Sequence, residues 1–297
     1  MAKARALDRR RKSISSIRKI TRTMELISRA QFKRAMDRAV AATAYTRRIT
    51  ALVGHLAHSG LEVSHPLLQE HAEPQRAILL VLTANRGLCG GYNGSVLRLA
   101  YARWQELGDW PHAGLEVAGK RGISAFRFRK IRPNECFTHF SDKPSFAEVD
   151  VLAGRYLHDF AAGDLDRLDV AYTKFESLSR QHAVVETLLP LANVGQVGNL
   201  PPQGEAERFG GPQYEFLPSA KSILDEVVPT SFKVKLFKCF LDAAVSEQIA
   251  RMVAMKAATE NADSMISNLS MAYNRARQGQ ITGELLEIIG GAEAING

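Results

Sequence analysis

The chain closes on residues 280–297, "QITGELLEIIGGAEAING", and how this stretch is accommodated decides how the rest is folded. On a helix, Ile281, Leu285, Ile288 and Ala292 fall along one face, with Leu286 and Ile289 beside them. That is a wide apolar stripe at helical spacing. Terminal segments are usually frayed and polar, and the expectation is that nothing beyond Gly297 covers this one. Fully burying four such side chains would contribute roughly 6–10 kcal/mol. Some other surface must therefore meet the tail.

Upstream of the tail the helical signal runs back to Pro229, with neither Pro nor Gly before Gly279. Val245, Ile249, Met252, Thr259, Ala262, Ile266, Leu269, Tyr273 and Ala276 follow one another at spacings of three, four or seven, with Lys256 at the skipped position. The other end of the chain mirrors this. From Arg5 to His58 there is no Pro, and the first Gly is Gly54. Ile14, Ile17, Thr21, Met24, Ser28, Gln31, Ala35, Arg38, Ala42, Tyr45, Ile49, Leu52 and Leu56 form a heptad-type seam whose middle is small and polar rather than leucine-rich. At the rise of an α-helix these segments would be roughly 80 and 90 Å long. Neither can bury its seam alone, so the spacing predicts that they pair as an antiparallel coiled coil.

Between them the pattern changes. "RAILLVLT" is a short apolar run fit for a buried strand, and it enters the glycine-rich turn "ANRGLCGGYNG". "SVLRLAYARWQEL", "GISAFRFR" and "FAEVDVLAGRYLHDFAAG" read as helices, "GLEVAG" as a strand, and "RLDVAYTKFES" with "HAVVETLLPL" as a hairpin. Such alternation predicts a compact α/β domain over residues 75–192. A Gly- and Pro-rich loop or linker follows over 193–219, and the terminal helices occupy 1–60 and 220–297. The expected class is α plus α/β, a coiled-coil rod carrying a globular foot.

Hydrophobic content of 45% and charged content of 24% are ordinary for a globular protein. No apolar run reaches the roughly 18 residues that span a bilayer. "MAKARALDRRRK" has no apolar core after its charges, so it is no secretory signal. Ile14, Ile17, Met24 and Ile27 carry helical periodicity through this region, which reads as mature protein. Cys89, Cys136 and Cys239 make neither a metal spacing nor a disulfide framework, which favours a reducing compartment. Charge is unevenly spread. Residues 1–50 carry 15 Lys and Arg against Asp8, Glu25 and Asp37, so a block of +12 sits in a chain of net +8. A polyanionic partner, whether nucleic acid, membrane or an acidic protein face, suits such a block; so does a merely solvated helix face.

Candidate chemistry is sparse. "RGLCGGYNG" follows a strand and precedes a helix, the setting of a phosphate cradle. It lacks GxGxxG and GxxxxGK[ST], and Arg86 could as well brace the turn, so a tight strand-to-helix turn is the better reading. His55 and His58 form an i, i+3 pair with no further ligand at convincing spacing. Glu284 and Glu287 read as solvated carboxylates. No nucleophile constellation, metal set or cofactor motif emerges, so an enzyme is not expected.

Two stretches are more specific. "SEQIARMVAMKAATENADSMI" from Ser246 and "YNRARQGQITGELLEIIGGAEA" from Tyr273 resemble the C-terminal helix of the gamma subunit of F-type ATP synthases. Ile281, Thr282, Glu284, Glu287, Gly291 and Ala292 fit that family's tail pattern. "RRRKSISSIRKITRTMELI" resembles its N-terminal helix, including Ile20, Thr21 and Met24, and "RGLCGGYN" resembles the turn of its central domain. The likeness spans nearly the whole chain in order. It implies an antiparallel coiled coil of the terminal helices joined to a central Rossmann-like α/β domain. It further implies a non-catalytic rotor shaft inside a ring of alpha and beta subunits, standing on the epsilon subunit and a membrane-embedded c-ring. Proton or sodium flow would turn that assembly and so drive ATP synthesis, or run in reverse with hydrolysis. No nucleic acid is expected on this reading, and the place implied is the cytoplasmic side of a bacterial inner membrane, peripherally.

Position by position, the resemblance places Met24, Arg251, Arg277, Gln278 and Thr282 at rotor–stator contacts. It places Ile281, Leu285, Ile288, Ile289 and Ala292 in a bearing formed by the surrounding subunits. Without the resemblance each would read as a plain coiled-coil residue. There are departures: Glu25 stands where Lys is commoner, Ser28 and Arg29 replace an Ala pair, Gly283 interrupts a helix at about 1 kcal/mol, and the loop at 193–219 is long. The cysteine pair that regulates chloroplast members is absent. The alternative is a nucleic-acid-binding protein using the basic first helix, although Phe32 and Tyr45 are the only aromatics there to stack on bases.

Overall fold

A computed structural model describes residues 2–58, 65–69, 71, 74–140, 143–191 and 220–296, with side chains in the terminal helices described at 4–40 and 225–291. The loop expected at 193–219 and the seam positions Ala42, Tyr45, Ile49, Leu52 and Leu56 lie outside the described loops and side chains. Helix α1 spans Ala2–His58 and α5 spans Ala220–Asn296. Between them come β1 (Arg76–Leu82), α2 (Tyr92–Glu106), β2 (His112–Ala118), α3 (Lys120–Phe128), β3 (Glu135–Phe137), α4 (Phe146–Ala161), β4 (Arg167–Ser177) and β5 (Arg180–Leu189). Contacts divide the chain into two units, residues 31–250 and a two-helix unit made of residues 1–30 with 251–297.

In the larger unit the strands form one sheet in the order β3-β2-β1-β4-β5. The first four named are mutually parallel and β5 returns antiparallel to β4. The near-continuous apolar run of β1 follows from burial on both faces. Ala77, Leu79 and Val81 point to one face, where α2 and α3 contribute Val96, Leu97, Ala100, Ile123 and Phe126. Leu80 and Leu82 point to the other, against Val149, Tyr156 and Phe160 of α4 and Phe232, Leu236 and Phe240 of α5. A third cluster joins Ala35 and Ala39 of α1 to Leu241, Val245 and Ile249 of α5.

Local chemistry sets the element boundaries. Helix α4 begins on a capping box in which Ser145 Oγ accepts from the Glu148 amide and Glu148 accepts from the Ser145 amide at 3.0 Å. Helix α5 starts before Pro229 and carries it inside, where the missing N–H removes one helical hydrogen bond. The three-residue edge strand β3 went unread in the sequence, being too short to show a period.

The seams differ in detail from the spacing expected. Ile17 is 46% exposed, and Ala39 rather than Arg38 is buried. On α5 the step across the skipped position is filled by Met255, 5% exposed, while Lys256 is exposed and Met252 only half-buried. A spacing of three or four admits either neighbour, and the facing helix selects one.

One charge lies under α4. Glu116, on the same sheet face as Leu80, accepts from Tyr156 Oη and Arg155 Nη2, both at 2.6 Å. Burial pushes its carboxyl above the usual range despite these donors. An acid whose folded pKa is raised holds its proton in the folded state over a window where the unfolded chain has lost it. Its contribution to stability therefore falls as pH rises from the ordinary carboxylate range. Urea titrations should show the stability of the unsubstituted chain relative to Glu116→Gln falling between pH 4.5 and 7. A second test concerns Gly119, where φ is +100° and an added Cβ would sit 2.0 Å from the Thr83 carbonyl oxygen. Gly119→Ala should cost about 3 kcal/mol or more. Gly163→Ala, at φ +77° with open space around it, should cost about 1–2 kcal/mol.

Candidate functional site

Parallel α/β sheets usually bind ligands beyond the C-terminal ends of their strands. Here that place is taken by α5. The glycine-rich turn after β1 closes on itself: Asn93 Oδ1 accepts from the Ala84 amide at 2.9 Å, and Asn93 Nδ2 donates to Cys89 Sγ at 3.1 Å. Tyr92, buried, donates to the Ala243 carbonyl of α5 at 3.2 Å. Between turn and helix remains a cavity of about 40 Å³ lined by Leu82, Tyr92, Gly119, Phe240 and Ala243, a volume suited to one or two waters. The turn braces α5, and Arg86 lies exposed beside it. Among the described residues no three His, Cys, Asp or Glu side chains are placed to hold a metal.

The two-helix unit has a different character. Thr259 Oγ1 lies 2.8 Å from Thr21 Oγ1, and the Thr21 hydroxyl in turn reaches the Arg18 carbonyl at 3.1 Å. Arg18 pairs with Asp263, and the Arg11 guanidinium lies over the Tyr273 ring at 5.3 Å. As numbers fall along α1 they rise along α5, so the helices are antiparallel. Each α1 residue faces the α5 residue numbered about 280 minus its own. Buried seam positions are Ala4, Thr21 and Ser28 on α1, and Arg251, Met255, Thr259 and Ala262 on α5. A bonded polar pair in such a seam fixes register at some cost in stability.

By this register the described part of α1, beginning at Ala2, faces α5 only as far as about residue 280. Beyond that the stripe stands open: Ile281 is 45% exposed, Leu285 54%, Ile288 69% and Ile289 54%. Ala292 lies in the helix with its side chain outside the described residues. Arg277, Gln278 and Thr282 are exposed, and the Thr282 hydroxyl bonds only back to the Gln278 carbonyl at 3.0 Å. Met24 is half-buried and Arg251 is buried at 3%. Seven of these positions, Arg277, Gln278, Ile281, Thr282, Leu285, Ile288 and Ile289, therefore lie exposed along the last part of α5, while Met24 lies half-buried elsewhere on α1 and Arg251 lies in the seam.

Further exposed apolar residues extend the surface: Ile17, Ile20, Leu26 and Ile27 on α1, and Val253, Met265 and Met271 on α5. Sequence reasoning assigned Ile17 to the seam and left most of the others unassigned. Their signal was present, since apolar residues fall outside any single helical face. Glu25 is held by Arg22 at 2.9 Å, which offsets its charge locally. Asp8 is held below the usual carboxylate range, chiefly by Lys12 and also by Arg11.

The departure at Ser28 has a physical consequence. Ser28 is 1% exposed and its hydroxyl has no bonding partner among the described residues. Removing an unsatisfied buried hydroxyl relieves its desolvation cost. Ser28→Ala should stabilise the chain by about 0.5–1 kcal/mol, measurable as a raised denaturation midpoint.

The ATP synthase family model matches residues 3–295. Over 298 residues the chain is 58% identical to the ATP synthase gamma chain of Rhodopirellula baltica, covering 100% of both. It is 37% identical over 300 residues to that of Leptospira biflexa, again covering 100% of both. Its fold is similar to a chain of the Euglena gracilis mitochondrial ATP synthase OSCP/F1/c-ring structure, with TM-score 0.62 and 17% identity over 99% of this chain and 95% of that one. A chain of the Tetrahymena thermophila mitochondrial central stalk and c-ring gives TM-score 0.55 and 16% identity over 80% of this chain and 99% of that one. A family model spanning nearly every residue and a full-length relative at 58% identity place the chain by descent as well as by fold: it belongs to the ATP synthase family, among the gamma chains.

Proposed function

We propose that the chain is the central rotor shaft of an F-type ATP synthase, passing rotation between an ion-driven c-ring and an alpha/beta ring. The observation that carries this is the open apolar tail of α5 beyond about residue 280. An apolar stripe that its own chain leaves uncovered, next to further exposed aliphatics and a +12 N-terminal block, is suited to being enclosed by other subunits. Ile281, Leu285, Ile288, Ile289 and Ala292 form the bearing surface. Met24, Arg277, Gln278 and Thr282 lie on contacts that change as the shaft turns, and Arg251 acts through the seam that supports them. Domains on this reading are the helices 1–60 and 220–297, the α/β part 75–192 and the connection 193–219.

The part played is mechanical. A shaft contributes by presenting different contacts to otherwise equivalent sites, a coupling carried through a shared interface. Charged and apolar groups on exposed helix faces give broad attraction without a fixed geometry. Catalysis belongs to the assembly rather than to this chain. Epsilon and the c-ring complete the rotor, and the place of action is the cytoplasmic face of a bacterial inner membrane, reached through those partners. No helix among the described residues is long and apolar enough to cross a membrane. Nothing in the relatives above favours the nucleic-acid alternative.

Mixing the chain with alpha and beta subunits of a related enzyme, and following assembly and ATP hydrolysis together, tests this. The full chain should assemble and stimulate hydrolysis, and a truncation ending at Gln280 should assemble poorly. Leu285→Asp with Ile288→Asp should weaken assembly roughly tenfold or more, the order expected from losing buried aliphatic area. The melting temperature of the isolated chain should stay unchanged, because both residues are exposed there. A full chain that leaves the alpha and beta subunits unaffected would overturn the reading.

A further inference from the structure

The glycines of α5 are all gathered near its end. Residues 230–278 contain none, and then come Gly279, Gly283, Gly290 and Gly291. A Cβ added at any of the four would meet nothing within 4 Å, and none of them takes a positive φ. Neither close packing nor backbone geometry within this chain calls for glycine there. Each nonetheless weighs against the helix, by roughly fivefold in its helix–coil equilibrium relative to alanine.

The rest of the segment does not make up the loss. Ile281, Thr282, Ile288 and Ile289 are β-branched, which lowers helix propensity a little further. Among the described residues the last buried position on α5 is Ala262, and from Gly279 to Gly291 none is buried. The side-chain hydrogen bonds described there are local. Gln280 Nε2 donates to Glu284 at 2.7 Å and the Thr282 hydroxyl to the Gln278 carbonyl at 3.0 Å, each spanning about one turn. A pair of the first kind strengthens a helix only about twofold, and the second kind weakens it slightly. No basic residue stands in the last turn to meet the helix dipole. Helix upstream supplies the nucleus, but propagation gains little per residue even through good helix formers. At Gly279 and again at Gly283 it runs downhill toward the open chain.

The same segment carries the aliphatic stripe of Ile281, Leu285, Ile288 and Ile289, which rewards a helix only against an apolar wall. Weak helix propensity joined to a strong apolar face describes a segment whose order is completed by what surrounds it. We propose that residues 279–291 fold on enclosure: in the free chain they exchange between this helix and an open form, and the alpha/beta ring holds the helix. The ring as the enclosing partner rests on the rotor reading above; the opening of the free segment does not. Because only the helical fraction is ready to be enclosed, apparent affinity falls by that fraction. The glycines therefore set how readily the tail is engaged. Filling them should have the opposite sign to damaging a contact surface: added methyl groups should tighten assembly.

Hydrogen–deuterium exchange read peptide by peptide tests this on the full chain, alone and mixed with alpha and beta subunits. In the free chain, residues 279–291 should exchange at close to the rate of unstructured chain, while residues 241–249 stay protected. Gly279→Ala with Gly283→Ala should slow exchange across 279–291 at least about fivefold, leave 241–249 unchanged and tighten assembly by a similar factor. In the assembly the unsubstituted segment should become protected. Protection of the free segment equal to that of 241–249 would overturn the proposal, as would exchange that stays fast in the assembly. Alanine substitutions that slow exchange yet weaken assembly would show that the partner needs glycine for close approach, and would overturn it as well. A chain whose free tail is open and slows with alanine, but which never engages the alpha and beta subunits, would overturn the rotor reading and with it the ring as the enclosing partner.

Discussion

Burial of one stretch of α5, Leu241–Ile249, on every side is the constraint around which the α/β unit is organised. Residues Leu241–Ile249 are all buried, so this stretch has no solvent face. Phe232, Leu236 and Phe240 pack toward the sheet and α4, while Leu241, Val245 and Ile249 pack against Ala35 and Ala39 of α1. A helix enclosed in this way has to bury polar groups as well. Asp242 is paired with Lys238 at 2.6 Å, and burial still pushes its carboxyl upward. Burial likewise pushes the Cys239 thiol up to about 12, which makes it a packing residue rather than a reactive one. Gln248 is fully buried with neither amide atom bonded among the described residues, at a cost of about 1–3 kcal/mol that the surrounding apolar burial offsets.

That helix also explains why a fold associated with nucleotide sites has no cleft where one would be expected. The turn after β1 keeps the glycine content of a phosphate-binding loop, yet its polar groups are spent on its own bracing and on Ala243. The sheet becomes a clamp for a helix. Elsewhere its buried charges are tied into the structure in the same spirit. Asp169, 1% exposed, gathers Arg103 at 2.7 Å, Arg167 at 3.1 Å and Thr187 at 2.7 Å across α2, β4 and β5. Burial alone would raise the Asp166 carboxyl, but His71 and the Gln75 and Arg76 amides hold it below the usual range.

The two-helix unit follows the opposite principle. Its seam is small and polar, with a hydroxyl pair setting the register, and much of its aliphatic surface faces outward. A packed core would bury those side chains. Their exposure among the described residues suits a surface met by partner subunits.

Much of this was legible in the residues themselves. Long stretches free of Pro and Gly, with apolar positions at three and four, determined α1 and α5; runs such as Arg76–Leu82 and the polar turn between β4 and β5 determined the strands, because side-chain periodicity is a local property. The apolar tail, too, declared a need for a partner. What only the tertiary structure decided was which of several adjacent residues faces inward: Ala39 rather than Arg38, Met255 across the skipped step, Ile17 outward. Over so many turns a helix drifts against any repeat of seven, so spacing leaves neighbouring positions nearly equivalent until a facing helix selects among them. The closed ligand end was hidden for the same reason. The turn at Arg86–Gly94 and the carbonyl of Ala243 lie some 150 residues apart in the chain, and no local pattern in either announces the other.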